Sequence, residues 1–262
     1  MKKIIIIISL LASLILISTS CDYDHGSIRG YGSSIETEVN IDIVTGIELN
    51  GSMDIEIIPS DTFRVVIIAQ QNIADLMVIE VLGNVAKVDY RPRINVIPTD
   101  VAKVVFYMPV LESISLDGSG DIYVADEFES EYNNEIKING SGNIDIEGLI
   151  CNKLETTING SGDISINCVC NEAETVIRGS GNISYNGNAS THTIRITGSG
   201  DVDAFDFFTE STYIDISGSG DAFVWAENLL DIYISGSGDV TYKGNPELSI
   251  DIPGSGNVNS WK

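Results

Sequence analysis

The sequence predicts an all-β solenoid, a chain wound into stacked coils of about 18–22 residues each. Three observations predict it. First, Gly-Ser-Gly followed by Asp or Asn occurs eight times, beginning at Gly118, Gly140, Gly160, Gly179, Gly198, Gly218, Gly236 and Gly254. The starts are 22, 20, 19, 19, 20, 18 and 18 residues apart, a periodicity that marks a repeat stack. Second, aliphatic columns flank the phrase. One runs from Leu116 to Ile252, two residues before each first Gly, and another from Ile122 to Val258, just after each Asp or Asn. Third, the intervening residues alternate apolar with polar, the period of a half-buried strand, and no long stretch carries a helical period.

Taken in order, the chain opens with Lys2-Lys3 and an apolar run from Ile4 to Ile17. Spanning a bilayer takes about 20 apolar residues, so this run reads as a secretion signal over residues 1–20. Ser18-Thr19-Ser20-Cys21 follows and resembles a bacterial lipoprotein cleavage site, which makes Cys21 the expected lipidation site. A plain signal peptide cut near Ser20 is the alternative. Residues 21–34 are polar and Gly/Ser-bearing and read as a flexible tether. The expected location is the cell envelope, anchored by lipid to the outer membrane, on its periplasmic or its outer face.

Residues 35–110 have strand character without the phrase and form an irregular N-terminal β part of the solenoid. Gly51-Ser52-Met53-Asp54 looks like a degenerate ninth copy, and Asn72–Met77 is long enough for one helical turn. Residues 111–262 form the regular solenoid. Its aliphatic columns stack into one core, each fully buried member contributing about 1.5–3 kcal/mol relative to exposure. The glycines suit a corner that needs positive φ or close backbone approach. The intervening Ser is expected to point outward or to bond to the turn, and the Asp or Asn to bond backbone N–H groups of the turn, with stacked Asn also able to bond along the ladder. Pro246 and Pro253 blunt the last turns, and open strand edges at the ends make a homo-oligomer an open expectation.

The entry stretch Gly46-Ile47-Glu48-Leu49-Asn50-Gly51-Ser52-Met53-Asp54, the lead-in Tyr107-Met108-Pro109-Val110-Leu111-Glu112-Ser113-Ile114 and the repeated phrase together resemble the auto-transporter adhesin head GIN domain family, over roughly residues 35–260. The resemblance implies a right-handed parallel β-helix in a secreted protein or lipoprotein. It supplies no catalytic residues. No translocator barrel is expected after Trp261.

The formal net charge is −24, and removing the signal with its two Lys takes it to −26. Such a surface argues against nucleic acid and anionic lipid surfaces as direct partners and leaves divalent ions, cationic partners and glycans. Calcium is a weak candidate cofactor: Asp201, Asp221 and Asp239 fall in one column, but Asn143, Asn182 and Asn257 interrupt it elsewhere, so the metal reading is none. Phe205 and Trp225 stand seven residues past their phrases and, with Phe223, are the candidate ligand-binding residues, facing a glycan or a surface protein. The alternative is a corner where these rings pack inward.

Cys151 and Cys170 both stand nine residues before the next phrase, hence stacked about 4.8 Å apart. They are candidates for a disulfide, the alternative being that they and Cys168 simply fill the core. His25 and His192 lie far apart, and no nucleophile elbow, metal-ligand pair or phosphate loop is present. The expected function is therefore non-enzymatic: ligand binding or structural display at the cell envelope. A carbohydrate-active β-helix enzyme and a purely structural envelope protein are the alternatives.

Overall fold

The computed structural model describes residues 26–130 and 133–261. The expected signal and Cys21 lie outside the described residues. The described residues are 63% strand and 2% helix and form a β-solenoid of about seven turns, as the repeats predict. Each regular coil is a strand pair or one long bent strand, such as Ile144–Ile158, Ile164–Ile177 and Ile183–Ile196. Each pairs in parallel with the next, Ile144 beside Ile164 and Ile158 beside Ile177. The predicted columns all point inward: Ile138, Ile158, Ile177, Ile196, Ile216 and Ile234 are completely buried.

The phrase forms the corner, though not by the torsion expected. None of its glycines has positive φ; among the described residues only Gly32, Gly83, Gly187 and Gly244 do. Close approach decides instead. A Cβ on Gly162 would lie 1.8 Å from the Gly142 carbonyl oxygen, and one on Gly140 would lie 1.9 Å from that of Gly118. Coils must come this near because each corner Ser N–H donates to the first Gly carbonyl of the preceding corner, as in Ser161 to Gly140 at 3.1 Å and Ser219 to Gly198 at 2.9 Å. The Ser side chains point outward as predicted.

The Asp or Asn does not bond within its own turn. Its Oδ1 accepts the backbone N–H of its counterpart one coil on: Asp201 from Asp221 at 2.7 Å, Asp221 from Asp239 at 2.7 Å, Asp239 from Asn257 at 2.7 Å. The same bond runs unbroken back to Asp54, which accepts from Asp121 N–H at 3.1 Å. Gly51-Ser52-Met53-Asp54 is thus a true ninth corner. It tolerates Met53 where the others need Gly because no further corner stacks beneath it, and the Met53 side chain is buried at the end of the core.

Before Gly46, and again between this corner and Gly118, the chain leaves the stack to build a cap. Ser34–Val39, Arg64–Gln70 and Lys103–Met108 pair antiparallel, and a hairpin joins Met77–Leu82 to Val85–Tyr90 through Gly83 at φ 65°. The cap is sewn to the coils in parallel through Asp54–Pro59 and Gly46–Leu49. A single helical turn occupies Gln71–Ala74, slightly earlier than predicted. Within the stretch read as a tether, residues 26–34 are not free of the fold: Ser27–Arg29 pairs with Asn95–Ile97, and Gly30 packs so tightly on Gln70 that a Cβ there would meet its side chain. At the other end, the last strands Glu247–Asp251 and Val258–Ser260 leave Leu248 and Ile250 exposed.

Candidate functional site

Coil length varies at register shifts away from the corner. The Gly198 coil has 20 residues and the Gly218 coil 18, the net of a three-residue bulge after Ala204 and an opposite one-residue shift between Thr209 and Ser211. Ala204 pairs with Val224 and Phe208 with Trp225, so Phe205, Asp206 and Phe207 have no partners on the next strand. Phe205 and Trp225 are therefore not register neighbours as their count from the phrase suggested; Phe208 takes that place. The bulge turns Phe205 and Asp206 outward and Phe207 into the core, where it is fully buried.

The outward rings form one half-buried cluster. Phe205 meets Phe223 edge-on at 5.5 Å and lies 5.7 Å from Trp261; Phe208 meets Trp225 edge-on at 5.2 Å. Lys243 joins the two groups, its Nζ 4.6 Å from the Trp225 ring and 5.5 Å from Phe205, with Asp206 3.4 Å away. Cation–π attraction and edge-to-face contact together hold these rings in place. The three predicted residues thus share one surface, and sequence reasoning missed Lys243 and the exposed Trp261. It also missed Tyr213 and Tyr233, exposed beside the Arg195–Asp215 ion pair. Their signal was parity: each precedes an inward Ile by one residue.

Beneath the bulge is a polar knot inside the apolar core. His192 is 1% exposed, and its Nε2 lies 2.8 Å from Thr175 Oγ1. Tyr185 Oη bonds both Thr175 and Thr156. Phe207 packs on Tyr185 at 5.1 Å and edge-on to His192 at 5.4 Å. Burial lowers the His192 pKa to about 3, so the ring is neutral and sealed from substrate. Spacing shows this too: His192 is four residues before Ile196 and shares its inward parity.

Cys151 and Cys170 are register partners, as the spacing predicts. Both thiols are free and buried, and Cys168, also free and buried, bonds to Cys170. The Cys151 thiol is pushed up by its hydrogen bond to Cys170 and then by burial. At Cys170 the bond from Cys151 pulls the other way, but the bond to Cys168 and burial prevail, pushing it up to about 12. Thiolate is the attacking species in disulfide exchange, so this environment slows bridging although the geometry brings the pair together. The carboxylates of Asp201, Asp221 and Asp239 are engaged in the corner ladder. Among the described residues no group of three His, Cys, Asp or Glu is placed to hold a metal.

The chain matches the family model described as "Putative auto-transporter adhesin, head GIN domain" over residues 44–246. It is 30% identical to a crystallised "Putative lipid binding protein" from Parabacteroides distasonis, with TM-score 0.84 over 90% of this chain and 100% of that one. Two proteins crystallised as putative adhesins share the fold. One from Parabacteroides distasonis is 24% identical with TM-score 0.83, over 90% of this chain and 100% of that one. One from Parabacteroides merdae is 21% identical with TM-score 0.84, over 90% and 99%. None of the curated proteins matches the chain. Family and neighbours carry names of adhesins or lipid-binding proteins and not of enzymes, and the chain belongs to the auto-transporter adhesin head GIN domain family.

Proposed function

We propose that the protein is a non-enzymatic recognition module of the cell envelope, held to the outer membrane by lipid on Cys21 and binding its ligand at the Phe205–Phe223–Trp225 surface. The observation that carries this reading is the aromatic bulge. The other coils place single apolar side chains such as Tyr123 and Val169 among polar neighbours on their outward side, whereas here five rings and Lys243 gather on one face. Rings fixed by their neighbours lose little entropy on contact and suit the apolar face of a sugar or a protein loop. The sealed His192 removes the usual proton-transfer group from the surface, which favours binding over catalysis. No helix among the described residues is long and apolar enough to cross a membrane, in keeping with a lipid anchor. The exposed Leu248 and Ile250, on a terminal strand paired along only one edge among the described residues, support self-association at that end.

The test is a glycan and surface-protein array probed with wild type and Trp225→Ala, alongside protease shaving of whole cells. Binding that drops at least tenfold in Trp225→Ala, from a shaving-sensitive protein, supports the proposal. Binding unaffected by that change assigns the cluster to packing, and resistance to shaving leaves a structural envelope role.

A further inference from the structure

The corner ladder has a direction. Each corner presents its Ser N–H toward the N-terminal neighbour and its Gly carbonyl toward the C-terminal one, at 2.8–3.2 Å wherever two corners stack. The first corner, Gly51-Ser52, gives its carbonyl to Ser119 N–H at 3.2 Å but has no corner before it. The N–H groups of Gly51 and Ser52 are accordingly left without a protein acceptor. They line a cleft of about 390 Å³ between this corner and the loop after Tyr90.

That loop carries Arg91 and Arg93. Both are exposed, neither belongs to any ion pair of the described residues, and both line the same cleft on a chain of net charge −24. Arg93 adopts φ 66°, a conformation Gly would take without strain, directly after Pro92. Tyr90, 8% exposed, also lines the cleft, and its buried hydroxyl has no hydrogen-bond partner. Open N–H donors and two guanidinium forks free of ion pairs among the described residues line one place, which the Asp89 carboxylate also lines and whose wall holds the buried, unpartnered Tyr90 hydroxyl. The forks match planar carboxylate geometry. Asn50 and Ser52 offer polar groups for hydroxyls, and Ile94 an apolar wall for a ring face.

From this geometry we infer that the cleft at the open end of the ladder binds an acidic sugar, its carboxylate held by Arg91, Arg93 and the Gly51-Ser52 N–H groups. The site is remote in sequence from the aromatic bulge and independent of it. The test is titration of the full chain, in detergent, with polygalacturonate, dextran and inorganic phosphate. Polygalacturonate is expected to bind, more weakly as salt rises, and dextran not to bind. Arg91→Ala with Arg93→Ala should cost at least fivefold in affinity, while Trp225→Ala leaves it unchanged. Arg93→Gly should also lose affinity without lowering Tm, because it relieves the positive φ. The proposal is overturned by absent polygalacturonate binding, or by a loss under fivefold in the double variant. Displacement of the polymer by phosphate at equal charge overturns the sugar assignment, and a lowered Tm in Arg93→Gly overturns the claim that Arg93 is kept for its ligand.

Discussion

At the Gly-Ser-Gly corner, Gly142, Gly162 and Gly181 repeat with backbones so close that no Cβ fits. At the opposite bend of the same coils, Phe205–Phe207 have no partners on the next strand, and a register shift also separates Ile146 from Leu149. One bend is pinned from coil to coil by Ser N–H and Asp/Asn bonds. The rest of the coil has no such ladder and absorbs the register shifts, the one between Thr209 and Ser211 included. A solenoid with one invariant seam can vary its opposite side without losing register, and that side holds both the aromatic surface and the buried knot beneath it.

The sharpest way to break the comparison is to empty the variable side. Phe207→Ala removes a fully buried ring packed on Tyr185 and His192 and should cost about 3–5 kcal/mol in chemical denaturation. If the loss is near 1 kcal/mol, the bulge is a surface ornament and the knot stands without it. On the invariant side, Gly162→Ala should cost about 2–3 kcal/mol by overpacking, since its Cβ meets backbone rather than a movable side chain. Gly51→Ala is the control: its Cβ meets the flexible end of Met53, so about 1 kcal/mol or less is expected. Equal losses at Gly162 and Gly51 would mean that close stacking is not what the seam requires.

The seam was legible in the sequence because it is local and periodic. Leu116 to Ile252 and Ile122 to Val258 could be read as inward columns from spacing alone, and Cys151 beside Cys170 from a common count. The same count failed at Phe205 and Trp225, because counting from the phrase assumes that no residue is inserted, and the bulge inserts three. The cap was hidden for a different reason. Its antiparallel pairs, such as Ser34–Val39 with Arg64–Gln70, join distant segments with no repeat to announce them. Bonding along the ladder was expected of stacked Asn but not of Asp, because a turn read by itself suggests a bond within that turn, whereas the Asp Oδ1 accepts an N–H one coil away.

The knot predicts a pH dependence. His192 is neutral in the fold, with its pKa lowered to about 3 by burial, and near 6.5 when unfolded. A lowered base binds its proton first in the unfolded state. The stabilising effect of keeping His192 neutral is therefore complete above about pH 6.5 and lost as the pH falls toward 3. Between pH 7 and pH 5 wild type should lose about 2 kcal/mol more than His192→Gln, one pKa unit being worth about 1.4 kcal/mol. Parallel pH profiles for the two proteins would show that the ring is not the titrating group.

The smallest expected effect separates the two roles of the acidic column. Asp201 Oδ1 accepts the Asp221 N–H at 2.7 Å, so Asp201→Ala removes an acceptor at a half-buried corner and should cost about 1 kcal/mol. Asp201→Asn keeps an acceptor oxygen and removes one of three consecutive carboxylates, which repel by roughly 1 kcal/mol per stacked pair even in water. It should match or exceed wild type at low salt, and the advantage should shrink as salt screens the column. Asn143 and Asn182 already fill this position in other coils and accept the same bond from Asp163 and Asp201 at 3.0 and 2.9 Å, so the carbonyl is sufficient for the seam. A loss in Asp201→Asn as large as in Asp201→Ala would instead require the negative charge, and would return the column to consideration as a cation ladder.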